Sequence, residues 1–129
     1  MAQDGDLQAG IEAFIVKEGA EGIILEPAQV ANPGDIILYR ATFVNKGEGA
    51  LEAVKPVLPI PAGLEYVADS VSPKPQQVSL DGKTFQSFPV VDAAGKPVDP
   101  SAYRAFRWEL SSLKADAPFV AKLRAKLIR

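Results

Sequence analysis

The chain has 129 residues, 47% of them hydrophobic, with 11 prolines, 10 glycines and a formal net charge of −2. It contains no cysteine and no histidine, which excludes thiol chemistry, iron–sulfur clusters, thiolate zinc sites and every nucleophile activated by an imidazole. The small net charge gives no broad attraction to nucleic acid or to an anionic membrane, and no segment approaches the ~18 uninterrupted apolar residues of a membrane span.

A chain of this length is expected to fold as one domain and to bury about two thirds of the surface its unfolded form exposes, so it needs no disulfide. Frequent proline and glycine point to short strands joined by turns. The expected fold is all-β, an Ig-like antiparallel β-sandwich of roughly seven to nine strands over residues 7–129, behind a flexible tail at residues 1–6. That tail, Met1-Ala2-Gln3-Asp4-Gly5-Asp6, is polar and acidic. Ala2-Gln3 suits the surroundings of a signal-peptidase cut, so an extracytoplasmic protein with its signal peptide removed is expected.

Leu7, Ala9, Ile11, Ala13 and Ile15 recur at every second position, the period of a strand with one half-buried face. Glu18 to Glu21, with Gly19 and Gly22, reads as a loop. Ile23-Ile24-Leu25 is short and apolar, and Pro27 confines it to an edge or a connection. Pro33-Gly34-Asp35 then launches the clearest strand. Ile37, Tyr39, Ala41 and Phe43 are expected to face the core, and Ile36, Leu38, Arg40, Thr42 and Val44 to face outward. Asn45 and Gly47 suit the positive backbone angles of the following turn.

Leu51 to Ile60 is extended, because Pro56 and Pro59 forbid a helix; both also lack a ladder donor, which places the strand near an edge. Pro61-Ala62-Gly63 fits a type I turn counted from Ile60, and Leu64, Tyr66 and Val67 lead into another strand. Ser72 to Gln77 is a loop. Asp81-Gly82-Lys83, between Val78-Ser79-Leu80 and Thr84-Phe85, is a hairpin signal. Residues 92–96 lie between Val90-Val91 and Pro97-Val98 in a second hairpin or excursion. Phe106, Trp108 and Leu110 alternate with Tyr103, Ala105, Arg107 and Glu109, and the first set is assigned to the core. Phe119 to Arg129 is rich in helix formers yet alternates cleanly; a chain of strands that lacks a closing partner favours a strand here.

Charge is uneven along the chain. Residues 1–35 hold seven acids (Asp4, Asp6, Glu12, Glu18, Glu21, Glu26, Asp35) and one base, Lys17. Residues 104–129 hold seven bases (Arg104, Arg107, Lys114, Lys122, Arg124, Lys126, Arg129) and two acids, Glu109 and Asp116. Pairing of these two ends within one molecule is expected, with a head-to-tail contact between neighbours as the alternative.

The strand start Pro33-Gly34-Asp35, the alternation Ile37-x-Tyr39-x-Ala41-x-Phe43, the exit Asn45-x-Gly47 and the corner Ile60-Pro61-Ala62-Gly63-Leu64 with Tyr66-Val67 form one pattern. It resembles the conserved-repeat surface domain of bacteria and archaea, the family catalogued as domain of unknown function eleven. Ser70 stands where that family often has a serine, and Arg107-Trp108 with Leu110 and Leu113 is similar to its later strand and loop. The match covers roughly residues 25–129. The resemblance implies an exported Ig-like sandwich, often repeated within large envelope proteins, and no catalytic residue.

The residues add little chemistry of their own. No two carboxylates are placed together at a cleft, so no catalytic residue and no enzymatic activity are expected. Asp92-Ala93-Ala94-Gly95 and Asp99 lie in one excursion, but Asp-x-x-Gly is an ordinary turn and the spacing is not that of a calcium loop; no metal and no cofactor are expected. Ile36, Leu38 and Val44 are more apolar than a solvated strand face requires, which marks them as an interaction surface. The expected function is a non-catalytic structural or interaction module of the cell envelope or secreted space. Its partner is another envelope or surface protein or a second copy, with no nucleic acid. The alternative is a ligand- or carbohydrate-binding sandwich that uses the 70–100 excursion, where Phe85, Phe88 and Tyr103 are the available aromatics.

Overall fold

The computed structural model describes residues 7–19, 22–27 and 31–128; the tail at residues 1–6, with its reading as a processed terminus, lies outside them. Among the described residues the fold is all-β, without an α-helix. The strands are β1 (Leu7–Gly19), β2 (Gly22–Pro27), β3 (Ile36–Asn45), β4 (Leu51–Val54), β5 (Val57–Pro59), β6 (Leu64–Tyr66), β7 (Gln77–Ser79), β8 (Gln86–Ser87), β9 (Ala105–Arg107), β10 (Leu110–Leu113) and β11 (Pro118–Leu127). Every pairing is antiparallel. A five-stranded sheet runs β2-β1-β3-β11-β6, a four-stranded sheet runs β5-β9-β7-β8, and β4 with β10 forms a small third sheet. There are more strands than the seven to nine expected. Proline breaks the expected strand at Leu51–Ile60 into β4 and β5, and β9 and β10 are likewise separated at Trp108 and Glu109.

Strand β3 is the centre of the larger sheet. β1 pairs with it from Leu7↔Asn45 to Val16↔Ile36, and β11 from Pro118↔Val44 to Lys126↔Ile36. Ile37, Ala41 and Phe43 are buried, as are Ala121, Leu123 and Ala125 beside them. They meet Leu58, Val78, Phe106 and Trp108 of the other sheet in one core. The last segment is a strand for a tertiary reason: it supplies the partner for β3's second edge, whose backbone groups would otherwise be buried without bonds.

Three local expectations are corrected. Asn45 and Gly47 are absent from the positive-φ residues. The turn after β3 is instead made by the Asn45 side chain: Oδ1 accepts from the Gly47 N–H at 2.9 Å, while Nδ2 donates to the Gly49 and Leu113 carbonyls at 2.8 and 2.9 Å. The Pro-Gly corner is shifted by one residue, since the Leu64 N–H donates to the Pro61 carbonyl and Gly63, at φ +87°, takes the third position. That is where a type II turn requires a positive angle. Tyr103 is buried rather than outward. A 3-10 turn at Pro100–Ala102, capped by the Asp99 carboxylate on the Ser101 N–H, leads into Tyr103. Tyr103, Ala105 and Phe106 are all buried, so both faces of the chain are covered there and strict alternation fails.

The expected pairing of the acidic and basic ends does not form among the described residues. β3 stands between β1 and β11, so Glu12 meets Arg40 of β3 at 2.9 Å and Glu26 meets Lys17 at 3.3 Å. The bases near the end of the chain find other partners. Arg104 donates to the carbonyls of Tyr103 and Leu64, and the Arg107 guanidinium lies 4.2 Å from the centre of the Phe85 ring.

Asn45 is fully buried, so Asn45→Ala should cost about 1–3 kcal/mol for each polar group left without a partner, measured by urea denaturation. Asn45→Asp should cost more at neutral pH, because it turns a carboxylate toward two carbonyl oxygens, and the deficit should shrink as acid protonates it.

Candidate functional site

Directly paired residues in an antiparallel sheet share a face, so the registers define the outward surface of the larger sheet. Leu25, Val16 and Ile36 form one row, continued by Lys126. Phe14, Leu38 and Arg124 form the next, and Glu12, Arg40 and Lys122 the one after. Phe14, Val16, Ile36 and Leu38 are half-buried, and Leu25 is 43% exposed. The Arg40 guanidinium lies 5.2 Å from the Phe14 ring centre while it holds Glu12, closing the apolar cluster on that side.

Ile36 and Leu38 thus belong to one surface, and Val44 belongs to another. Val44 lies six residues beyond Leu38, roughly 20 Å along the strand, beside Gln8 and Pro118. Phe14, Val16 and Leu25 are the members that the β3 sequence alone did not indicate. Their signal was present in the apolar second face of β1, but the register that sets them beside Ile36 and Leu38 is a tertiary matter.

The 70–100 excursion builds a cavity of about 390 Å³, within the usual range for small-molecule sites. Its aromatic lining is Tyr66, Phe88 and Tyr103; Pro89, Pro97, Pro100, Val71 and Val98 add apolar walls, and Asp69 and Lys74 bring charge. One wall is a departure of the chain from the edge of β11. The Val67 N–H donates to the Arg124 carbonyl, residues 68–69 leave the ladder, and Ser72 rejoins it opposite Lys122. The Ser70 hydroxyl fills the gap, accepting from the Arg124 N–H at 2.9 Å and donating to the Val67 carbonyl at 2.7 Å. Asp69 takes φ +62° at the apex, an angle unusual for a residue with a side chain.

Below the cavity the rings form a continuous chain. Phe88 meets Tyr103 and Phe106 at centroid distances of 5.8 and 5.7 Å, Tyr66 meets Phe106 at 4.9 Å, and Trp108 joins Phe106 to Phe119. The Trp108 indole N–H donates to the Pro73 carbonyl at 2.8 Å, tying the excursion to the core. Burial raises the Tyr103 phenol above its ordinary pKa; the neighbouring Tyr66 adds to this, and a backbone bond with Val90 opposes it. Phe88 and Tyr103 are therefore cavity walls rather than exposed platforms, while Phe85 is engaged by Arg107.

The carboxylates of the excursion serve its turns. Asp92 Oδ1 accepts from the N–H groups of Ala94 and Lys96. The Asp81 hairpin is longer than Asp-Gly alone implies, because pairing begins only at Val78↔Gln86. Asp81 closes the loop instead, accepting from the N–H groups of Thr84 and Lys83 and from the Thr84 hydroxyl. These bonds hold its carboxyl well below the usual carboxylate range. A lowered folded-state pKa contributes stability above the unfolded value of about 3.9, and that contribution is lost as pH falls through the folded value. Asp81→Asn should therefore lose less stability than the parent between neutral pH and strong acid, measured by denaturation at both.

Comparison with protein-family models, curated proteins and solved structures found no match for this chain.

Proposed function

We propose that this domain is a non-catalytic structural or interaction module of the cell envelope or secreted space. It acts by presenting a rigid sheet surface to another envelope or surface protein or to a second copy. The observation that carries this is the apolar cluster of Phe14, Val16, Leu25, Ile36 and Leu38 on the solvent side of a five-stranded sheet, with Arg124 and Lys126 alongside it. Contiguous apolar surface of this kind, rimmed by charge, is the usual composition of a protein contact. A sheet paired on both sides of β3 gives the partner a fixed template. The extracytoplasmic setting rests on the N-terminal sequence and on the resemblance to the conserved-repeat surface domain. In this chain the residues that carry that resemblance close hydrogen-bonded features of the fold: the Asn45 turn, the Gly63 corner and the Ser70 hydroxyl beside β11.

A photo-crosslinker placed at Leu38 should trap the partner in source cells, whereas the same group at Val44 should not. Leu38→Glu should abolish the complex and leave the melting temperature nearly unchanged, because the site is already half-exposed. Equal trapping at both positions would sink the assignment of the surface.

The cavity favours a second reading, a ligand-binding sandwich. Three aromatic rings and three prolines around about 390 Å³ suit an apolar ring or short chain better than the flat face of a sugar. Screening glycans and apolar small molecules by differential scanning fluorimetry should then give a hit that Phe88→Ala abolishes. Binding unaffected by that change would remove the cavity from consideration.

A further inference from the structure

The outer edge of β1 is distinct from both the apolar sheet face and the cavity. Among the described residues β2 pairs with β1 from Phe14 to Gly19. Among the described residues nothing pairs with the outer edge of residues 7–13, although β3 covers their inner edge completely. The Leu127 N–H donates to the Asp35 carbonyl, so in the registers of the larger sheet the odd-numbered residues of β3 bond β11 and the even-numbered ones bond even-numbered residues of β1. The alternation of an antiparallel ladder then aims the N–H and C=O groups of Ala13, Ile11, Ala9 and Leu7 at the open edge. Exposed edges are ordinarily blunted by lysine, proline, a bulge or a covering segment. This one reads Leu-Gln-Ala-Gly-Ile-Glu-Ala, carries none of those residues, and leaves Ile11 53% exposed on the side that faces the core further along the strand.

We propose that this edge pairs with the same edge of a second copy, antiparallel about a two-fold axis at Gly10, joining the two larger sheets into one continuous sheet. A second copy fits this edge because the segment is complementary to itself. In this register Ala9 lies opposite Ile11 of the second copy and Leu7 opposite Ala13, so every edge-directed residue of the segment is used. The apolar set of Leu7, Ala9, Ile11 and Ala13 meets its own equivalents on one face. On the other face Gln8 lies opposite Glu12, so no like charges are set against each other. Gly10, at the axis, falls in a pair without hydrogen bonds, where the two backbones approach most closely. Centring on Ile11 instead would set Leu7 against Ile15, whose edge is already taken by Glu26. The contact uses the sheet edge and is independent of the sheet face proposed above.

Light scattering over a concentration series should give twice 13.7 kDa at high concentration. Ile11→Lys, at an exposed side chain, should halve that mass with unchanged circular dichroism, and Leu38→Glu should leave it intact. The chain has no cysteine, so Gly10→Cys introduces a single thiol, at a position where an added Cβ meets no atom within 4 Å. Cα atoms in such a pair lie about 4.5 Å apart, within disulfide range, so mild oxidation should link Gly10→Cys chains rapidly and Gln8→Cys chains much more slowly. A monomer at every soluble concentration overturns the proposal, as does faster linking of Gln8→Cys. A dimer lost on Leu38→Glu but kept on Ile11→Lys also overturns it, and leaves the sheet-face contact standing.

Discussion

One buried amide holds the architecture at the end of its central strand. Asn45 completes β3, and its side chain bonds the turn that leads to β4 and the carbonyl that ends β10. Its own carbonyl accepts from the Asp116 N–H at 2.7 Å, fixing the turn into β11. A side chain with both donor and acceptor is needed, because the groups it meets include an N–H and two carbonyls. Burial makes the requirement strict, since in the interior a missing partner costs far more than it does in water. The small β4–β10 sheet, with its cluster of Leu51, Val54 and Leu113, is held to the main sandwich at this point and by Leu7 and Phe119, which pack against both clusters.

The outward sheet face and the excursion meet the core differently. The face is a regular sheet surface whose apolar character comes from cross-strand neighbours on β1, β2 and β3. The excursion is irregular and is held by specific bonds: the Trp108 indole on Pro73, the Ser70 hydroxyl in the gap beside β11, and carboxylates closing the Asp81 and Asp92 turns. Regular pairing suits a surface that must present many small contacts in fixed register. Irregular chain is what encloses a concave site, because departure from the ladder leaves space beside it.

Much of the fold was legible from period and punctuation. The alternation in β3 named its core face correctly, the prolines at 56 and 59 placed β4 and β5 at edges, and Pro27 did the same for β2. The clean alternation of Phe119 to Leu127 prevailed over helix propensity because β3 offered it an edge. Other features depended on neighbours that sequence cannot name. Ile11 follows the same alternation as Ile15, yet one is exposed and the other buried, because cover by the remainder of the protein does not extend along the whole of β1. Tyr103 is buried because Tyr66, Phe88 and Phe106 pack around its ring.

By itself the sequence determined the all-β class, the turns, the central strand and the exclusion of imidazole and thiol chemistry, because each depends on residue type and near-neighbour spacing. Tertiary structure decided what Asn45 bonds, which apolar residues share a surface, where the excursion encloses space, and that the charged ends do not pair among the described residues. Those outcomes depend on which strands become neighbours, and β3, by taking β1 on one edge and β11 on the other, is what decides it.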